Sequence, residues 1–199
     1  MIPGPADDLE AIANAASGGS WALLCPPHPL YGGSMYDAVL DTIEHALAPK
    51  NIRTPRFNFR RVGASEGEHD NGDGEVHDLV AVVDWLLQEK SQSAVLVVGY
   101  SFGSVVASQG VAYCNTVSRV VLIAPPTSSM VLANDVRVPA RVIVGDADRF
   151  VDLELLDQWR QNQTDAKIVT IPWADHFFGS QQQALQSVKA DIFSEALHP

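Results

Sequence analysis

Cysteine is scarce in this sequence. Its two cysteines, Cys25 and Cys114, stand in separate apolar stretches. Two are too few for a disulfide framework and their spacing fits no zinc motif, so we interpret both as buried thiols. This scarcity excludes a small domain held together by disulfides or zinc.

Basic residues are also few. The chain has 13 Lys and Arg against 24 Asp and Glu, a formal net charge of −11. This excess of negative charge repels phosphate backbones and anionic lipid headgroups. We therefore expect neither a nucleic-acid partner nor a membrane partner.

Long apolar runs are missing too. No uninterrupted run approaches the roughly 18 residues that a membrane-spanning helix needs. The opening residues, MIPGPADDLE, contain acids where a secretory signal peptide would contain Lys or Arg. These features predict a cytoplasmic protein.

The composition is that of a globular protein, with 199 residues, 46% hydrophobic and 19% charged. The length suits a single domain over residues 1–199, and no repeat or linker divides it. We expect a monomer or a homodimer.

Short apolar runs alternate with amphipathic helical patterns. Runs rich in Val, Ile and Leu, without polar alternation, are typical of parallel strands buried on both faces. The predicted strands are 21–25, 53–57, 94–99, 119–124, 140–145 and 167–171; the predicted helices are 34–48, 75–89, 102–113, 153–161 and 181–197. Strands and helices alternating throughout predict a three-layer α/β/α sandwich around a doubly wound, mostly parallel sheet.

An acidic segment, EGEHDNGDGEVHD, spans residues 66–78. Its acids do not follow the register of a calcium loop. We interpret it as a Gly-rich surface loop without a metal, in which Asp73 caps the following helix and Glu75 interacts favourably with the helix dipole.

The strongest chemical signal is a G-x-S-x-G motif at residues 99–103, directly between a predicted strand and a predicted helix. This context is what a nucleophile elbow requires, because the tight turn lifts the Ser101 hydroxyl above the sheet edge. The helix that begins there favours a developing oxyanion, to which the Phe102 N–H can donate.

A serine needs a base and an orienting carboxylate to become nucleophilic. His176 follows a predicted strand after the elbow, and so do two competing acids, Asp146 and Asp148. Asp148 is better placed to turn towards His176, whereas Asp146 lies at the turn itself, where a carboxylate often binds backbone N–H groups. We favour Asp148. The order Ser101, Asp148, His176 is that of the α/β hydrolases.

The sequence resembles the α/β-hydrolase superfamily over nearly its whole length. Residues 26–35, PPHPLYGGSM, and 58–67, NFRRVGASEG, look like those of small lidless hydrolases related to dienelactone hydrolases and serine peptidase-like acyl hydrolases. The first segment implies a second oxyanion donor just past His28. Because proline has no N–H, Leu30 or Tyr31 supplies it, and we favour Leu30. In the second segment, relatives usually have glycine at the position of Arg61.

The resemblance also implies a compact α/β-hydrolase fold without a cap domain. The family's lid is usually inserted after the strand that ends here at Ala124, and only about 15 residues separate that strand from the next. We therefore expect an open site. We also expect a small sheet of six or seven strands, because Trp21 already opens the strand that leads to the oxyanion loop.

The motifs predict a serine hydrolase that cleaves carboxylic ester or thioester bonds of a small acyl substrate, with no metal or cofactor. Tyr31, Phe150 and Phe177 are candidates for an apolar substrate pocket. The same triad serves peptidases, amidases, perhydrolases and C–C hydrolases, and a non-catalytic binding module is a further alternative.

Overall fold

The computed structural model describes residues 1–89 and 95–188. The strands are β1 Ile2–Pro3, β2 Asp8–Leu9, β3 Ala11–Ile12, β4 Trp21–Cys25, β5 Arg56–Phe57, β6 Val95–Tyr100, β7 Val117–Ile123, β8 Ala140–Gly145 and β9 Ala166–Ile171. The helices are α1 Ala38–Leu47, α2 Asp73–Glu89, α3 Phe102–Gly110, α4 Leu153–Gln161 and α5 Gln182–Ser187.

Seven of the strands form one sheet, in the order β3-β5-β4-β6-β7-β8-β9. Every neighbouring pair is parallel except β3 and β5, which run antiparallel at the edge. Strands β1 and β2 pair with each other outside this sheet. The predicted mostly parallel α/β fold is therefore confirmed.

Both faces of the sheet are buried because the strands carry apolar side chains on both sides. Leu23 of β4 belongs to the core beneath α2 and α3. These helices contribute Leu79, Val82 and Val106 to that core. Leu24, the next residue, belongs to the opposite core, with Ile43 of α1. This alternation produces the helix–sheet–helix layers.

The first long helix begins later than predicted, at Ala38 instead of Ser34. Asp37 caps it, since its carboxylate accepts a hydrogen bond from Val39 N–H at 2.8 Å. Met35 is fully buried and its N–H donates to Asn58 Oδ1. The apolar residue at position 35 suggested a helix, but it is apolar because it is buried in the loop before α1.

The prediction that strands and helices alternate throughout was wrong between β7 and β8. Residues 124–139 connect these strands without a helix. The family resemblance implies that a lid would be inserted at this connection, which contains no helix to form one.

Further departures are β5, which keeps only two residues of the predicted strand 53–57, and the two ends of the chain. Strands β1 to β3 have two residues each and were not predicted. Helix α5 ends at Ser187, and residues 189–197 of the predicted helix 181–197 lie outside the described residues, as does residue 94 of the predicted strand 94–99. In the described ranges, no helix is long and apolar enough to cross a membrane.

Candidate active site

Ser101 lies on a tight turn between β6 and α3. Its backbone angles are φ 53° and ψ −121°, a combination that non-glycine residues rarely adopt and that stores strain. Its N–H donates to Ile123 O at 2.8 Å, and its carbonyl accepts from Ser104 N–H at 2.9 Å. The turn therefore presents the Ser101 side chain at the C-terminal end of β6.

The two glycines of the motif are required by close backbone contacts. A Cβ on Gly99 would lie 2.2 Å from Gly103 O, and a Cβ on Gly103 would lie 2.3 Å from Pro26 O. Any larger residue would push α3 away from β6 or from the loop after β4. The glycines thus allow the turn that strains Ser101.

His176 lies in the loop after β9 and reaches Ser101. Its Nε2 lies 2.9 Å from Ser101 Oγ and its Nδ1 lies 2.8 Å from Asp148 Oδ2. The loop is fastened by Tyr100 Oη, which donates to His176 O at 3.1 Å. Ser101, His176 and Asp148 therefore form one hydrogen-bonded chain.

The two acids after β8 have different hydrogen-bond partners. Asp148 faces His176 with a fully buried side chain, and its second oxygen accepts from Phe150 N–H at 2.8 Å. Asp146 turns to the backbone, where its Oδ1 accepts from Trp173 N–H at 2.5 Å. Asp146 thus braces the His176 loop through its backbone, and among the described residues only Asp148 bonds the imidazole ring through a carboxylate.

The candidate oxyanion donors come from two loops. Phe102 is the first residue of α3, so its N–H has no partner inside the helix. Leu30 and Tyr31 lie in one turn of 3-10 helix, where Leu30 N–H donates to His28 Nδ1 at 3.2 Å and Tyr31 N–H donates to His28 O at 3.1 Å. A substrate oxygen would share or replace one of these bonds.

The three predicted pocket residues form an exposed apolar rim. Tyr31, Phe150 and Phe177 are 87%, 51% and 64% exposed. The rings of Phe150 and Phe177 flank His176, with centroids 4.7 and 5.4 Å from the imidazole, and Tyr31 packs on His28 at 4.6 Å. The substrate side of the site is therefore open.

Sequence reasoning missed a second buried histidine–carboxylate pair, which lies beside His28 in the loop after β4. His69 Nδ1 lies 2.7 Å from Glu75 Oε1, and the Glu75 carboxylate also accepts from the N–H groups of Asp70 and Gly72. Asp73 was predicted to cap α2, but it is the first helical residue and Glu75 binds the turn before it. The His69 ring lies 5.9 Å from Phe102.

The second family-like segment is also strained at one position. Arg61 has φ 68°, the left-handed conformation that glycine adopts at least cost, and its guanidinium pairs with Glu68. The chain thus keeps the backbone conformation that suits glycine at this position and supports it with an ion pair.

Both cysteines are buried free thiols, as predicted. Burial raises the pKa of both, that of Cys114 to about 12. In residues 1–89 and 95–188, no group of three or more metal-ligating side chains is arranged to hold a metal ion.

The family comparison covers more than half of the chain. A family model described as the alpha/beta hydrolase fold matches residues 41–158. A relative, an uncharacterized protein of Rickettsia prowazekii, is 32% identical over 189 residues, covering 89% of this chain and 76% of that protein.

Two solved structures are similar in both sequence and fold. An alpha-beta serine hydrolase homologue from Coxiella burnetii is 34% identical with a TM-score of 0.86, covering 94% of this chain and 92% of that one. A protein of Xanthomonas campestris, described as an a/b serine hydrolase without lid, is 30% identical with a TM-score of 0.90, covering 100% and 94%.

Proposed function

The chain belongs to the α/β-hydrolase fold family, and from that premise we propose that it is a serine hydrolase that cleaves carboxylic ester or thioester bonds of small acyl substrates. The observation that carries the proposal is the hydrogen-bonded chain from Ser101 Oγ through His176 to Asp148. Such a chain can take a proton from the serine as it attacks and return it later.

In the first half of the proposed reaction, Ser101 Oγ forms a bond to the substrate carbonyl carbon while its proton passes to His176 Nε2. The carbonyl oxygen becomes an oxyanion, which the Phe102 and Leu30 N–H groups stabilise. We assign Leu30 in preference to Tyr31 because its present partner is the His28 side chain, whereas the Tyr31 N–H bonds a backbone carbonyl and closes the turn. Collapse breaks the bond to the leaving oxygen or sulfur, which takes the proton from His176.

In the second half, water attacks the acyl group on Ser101 and gives its proton to His176. Collapse of this second intermediate breaks the bond between the acyl carbon and Ser101 Oγ, returns the proton to Ser101 and releases a carboxylic acid. Asp148 holds the imidazole in the tautomer that has its free electron pair on Nε2, and stabilises the cation formed twice per turnover.

The surface around Ser101 favours neutral esters with apolar groups. The rim of Tyr31, Phe150 and Phe177 offers apolar contact, and the net charge of −11 disfavours polyanionic substrates. Because the rim is exposed, we expect it to select weakly between short and medium acyl chains.

The proposal is tested by hydrolysis of short p-nitrophenyl esters, acyl thioesters and p-nitroanilides. We expect ester and thioester turnover, and loss of at least about a thousandfold in kcat on Ser101→Ala. Ser187→Ala, an exposed serine on α5, is the matched control and should keep full activity.

Two results would contradict the proposal. If ester turnover survived in Ser101→Ala, Ser101 could not be the nucleophile. Faster cleavage of the anilides than of the esters would point to a peptidase or amidase, which uses the same triad.

A further inference from the structure

A cavity of about 220 Å³ lies far from Ser101, where β4 begins. Trp21 is the first residue of β4 and Cys25 the last. At the usual rise of a strand, these residues are roughly 13 Å apart, and only the Cys25 end leads into the oxyanion loop. The cavity is therefore separate from the proposed active site.

The cavity walls are apolar and the charges that line them are positive. Ile2, Ile12, Val82 and the rings of Trp21 and Trp85 contribute to its walls. The charged residues of its lining are Arg53 and Arg56, and none of the described residues that line it is acidic. A cavity lined by two arginines and no described acidic residue stands out in a chain with a net charge of −11.

The two arginines differ in what they bind. Arg56 is neutralised by Asp41 at 2.6 Å and by Glu44 at 2.7 Å. Arg53 makes no ion pair with any residue in the described ranges; its guanidinium lies over the Trp21 ring, with Cζ 4.9 Å from the ring centroid. The charge that is available to a ligand is therefore that of Arg53.

Two buried donors beside the cavity have no acceptor. Trp21 Nε1 and Arg53 Nε have no hydrogen-bond partner among the described residues, although both atoms are buried. Buried donors are almost always paired in folded proteins, because leaving one unpaired is costly. This corner of the molecule thus has more donors than acceptors.

A second cavity provides a contrast. It has about 390 Å³ and lies between the β7–β8 connection and α4, lined by residues that include Met130, Leu155 and Trp159. Its described lining contains no charged side chain. Charge, and not volume, therefore distinguishes the cavity at Arg53.

We propose that the cavity at Arg53 binds a small apolar monocarboxylate. The carboxylate pairs with the Arg53 guanidinium, whose planar fork matches two carboxylate oxygens, and the hydrocarbon lies against Val82 and Trp85. A volume of 220 Å³ holds about seven water-sized groups, which suits an acid of about six carbons such as hexanoate. This site is independent of the function proposed for Ser101.

The test uses the four tryptophans as local reporters. Nitrogen-15-labelled full-length protein, with any tag at the C-terminus because Met1 lines the cavity, is titrated with hexanoate while the indole N–H signals are followed by NMR. We expect the signals of Trp21 and Trp85 to shift together and saturate. The signals of Trp159 in the second cavity and of Trp173 beside His176 should stay in place.

Charge dependence is measured by two comparisons. Hexanamide, a neutral molecule of the same length, should bind at least about tenfold more weakly than hexanoate, and Arg53→Met should weaken hexanoate binding to a similar degree. Arg137→Met, which removes an arginine that is 77% exposed, should leave binding unchanged. If Arg53→Met does not fold, the comparison of acid and amide on the unmodified chain decides the question.

Three outcomes would overturn the proposal: no saturable shift of Trp21 and Trp85, equal binding of hexanoate and hexanamide, or shifts confined to Trp173. The last would mean that the acid binds at the Ser101 site. Repeating the titration in Ser101→Ala separates this proposal from the hydrolase proposal, since binding at Arg53 requires no turnover.

Discussion

The molecule contains two buried histidine–carboxylate pairs that look alike at first sight. His176 bonds Asp148 at 2.8 Å and His69 bonds Glu75 at 2.7 Å, both through Nδ1. In each pair the carboxylate side chain is fully buried and the histidine is less than a tenth exposed. By distance and burial alone, either could be the base of a serine hydrolase.

The pairs differ in what else they contact. His176 Nε2 reaches Ser101 Oγ at 2.9 Å, whereas the His69 ring lies beside the rings of His28 and Phe102. Within the described parts of the chain, no hydroxyl is hydrogen-bonded to His69. Glu75 uses its remaining capacity on the backbone at the start of α2.

The comparison teaches that a buried histidine–carboxylate pair is not in itself evidence of catalysis. What distinguishes His176 is the strained turn at Ser101, which brings a hydroxyl within hydrogen-bonding distance of His176 Nε2. We accordingly interpret His69 and Glu75 as a structural pair that fixes the loop before α2.

The largest effect should come from Asp148→Asn. The amide can hold the imidazole in the wrong tautomer, so we expect kcat for ester hydrolysis to fall by about 10⁴-fold. Steady-state kinetics on a short p-nitrophenyl ester measures this. The matched change, Glu75→Gln, should alter kcat by less than about tenfold; equal losses in the two variants would contradict the distinction between the pairs.

The next largest effect should come from Leu30→Pro. Proline removes the N–H proposed to stabilise the oxyanion, and loss of one such donor lowers kcat by about 10²–10³-fold. His28→Phe is the control, because it removes the present partner of Leu30 N–H and leaves that N–H in place. A larger loss of kcat in Tyr31→Pro than in Leu30→Pro would mean that the Tyr31 N–H is the oxyanion donor.

Glu75→Gln should act on stability instead. The carboxylate accepts hydrogen bonds from His69 and from two backbone N–H groups, and an amide cannot accept all three. We expect the free energy of unfolding to fall by about 1–3 kcal/mol, measured by urea denaturation. Unchanged stability would mean that the second pair does not support the fold.

The smallest effect concerns His28, which is hydrogen-bonded to no carboxylate among the described residues. Burial and the neighbouring His69 lower the pKa of His28, so the folded chain binds that proton less readily than the unfolded chain. Stability should therefore fall as the pH drops below about 6.5. In His28→Asn, whose amide oxygen can still accept from Leu30 N–H, the loss of Tm between pH 7.5 and 5.5 should be smaller by on the order of 1 °C; an equal loss would contradict this.

Much of the fold and site could be predicted because the signals are local. Strand β4 is an unbroken apolar run and β8 is one apart from Arg141, and the bounds of both agree with the prediction. Active sites of α/β sheets lie at the carboxyl ends of the parallel strands. Residues in the loops after β6, β8 and β9 could therefore be expected to lie close together before any distance was known.

The features that escaped prediction depend on contacts between distant or very short segments. A two-residue strand such as β3 has no periodicity to detect. The contact between Arg53 and Trp21 joins residues 32 apart along the chain, and nothing in either neighbourhood signals it. Asp73 is the residue type that usually caps a helix, and only the folded turn shows that Glu75 accepts a hydrogen bond from the backbone N–H of Gly72 instead.

The most direct test of the central claim is labelling with a fluorophosphonate, with the adduct located by peptide mass mapping. We predict one adduct, on Ser101, formed at similar rates in the unmodified chain and Glu75→Gln and far more slowly in Asp148→Asn. An adduct on another residue, or labelling of Asp148→Asn as fast as that of the unmodified chain, would contradict the assignment of Ser101, His176 and Asp148 as the catalytic group.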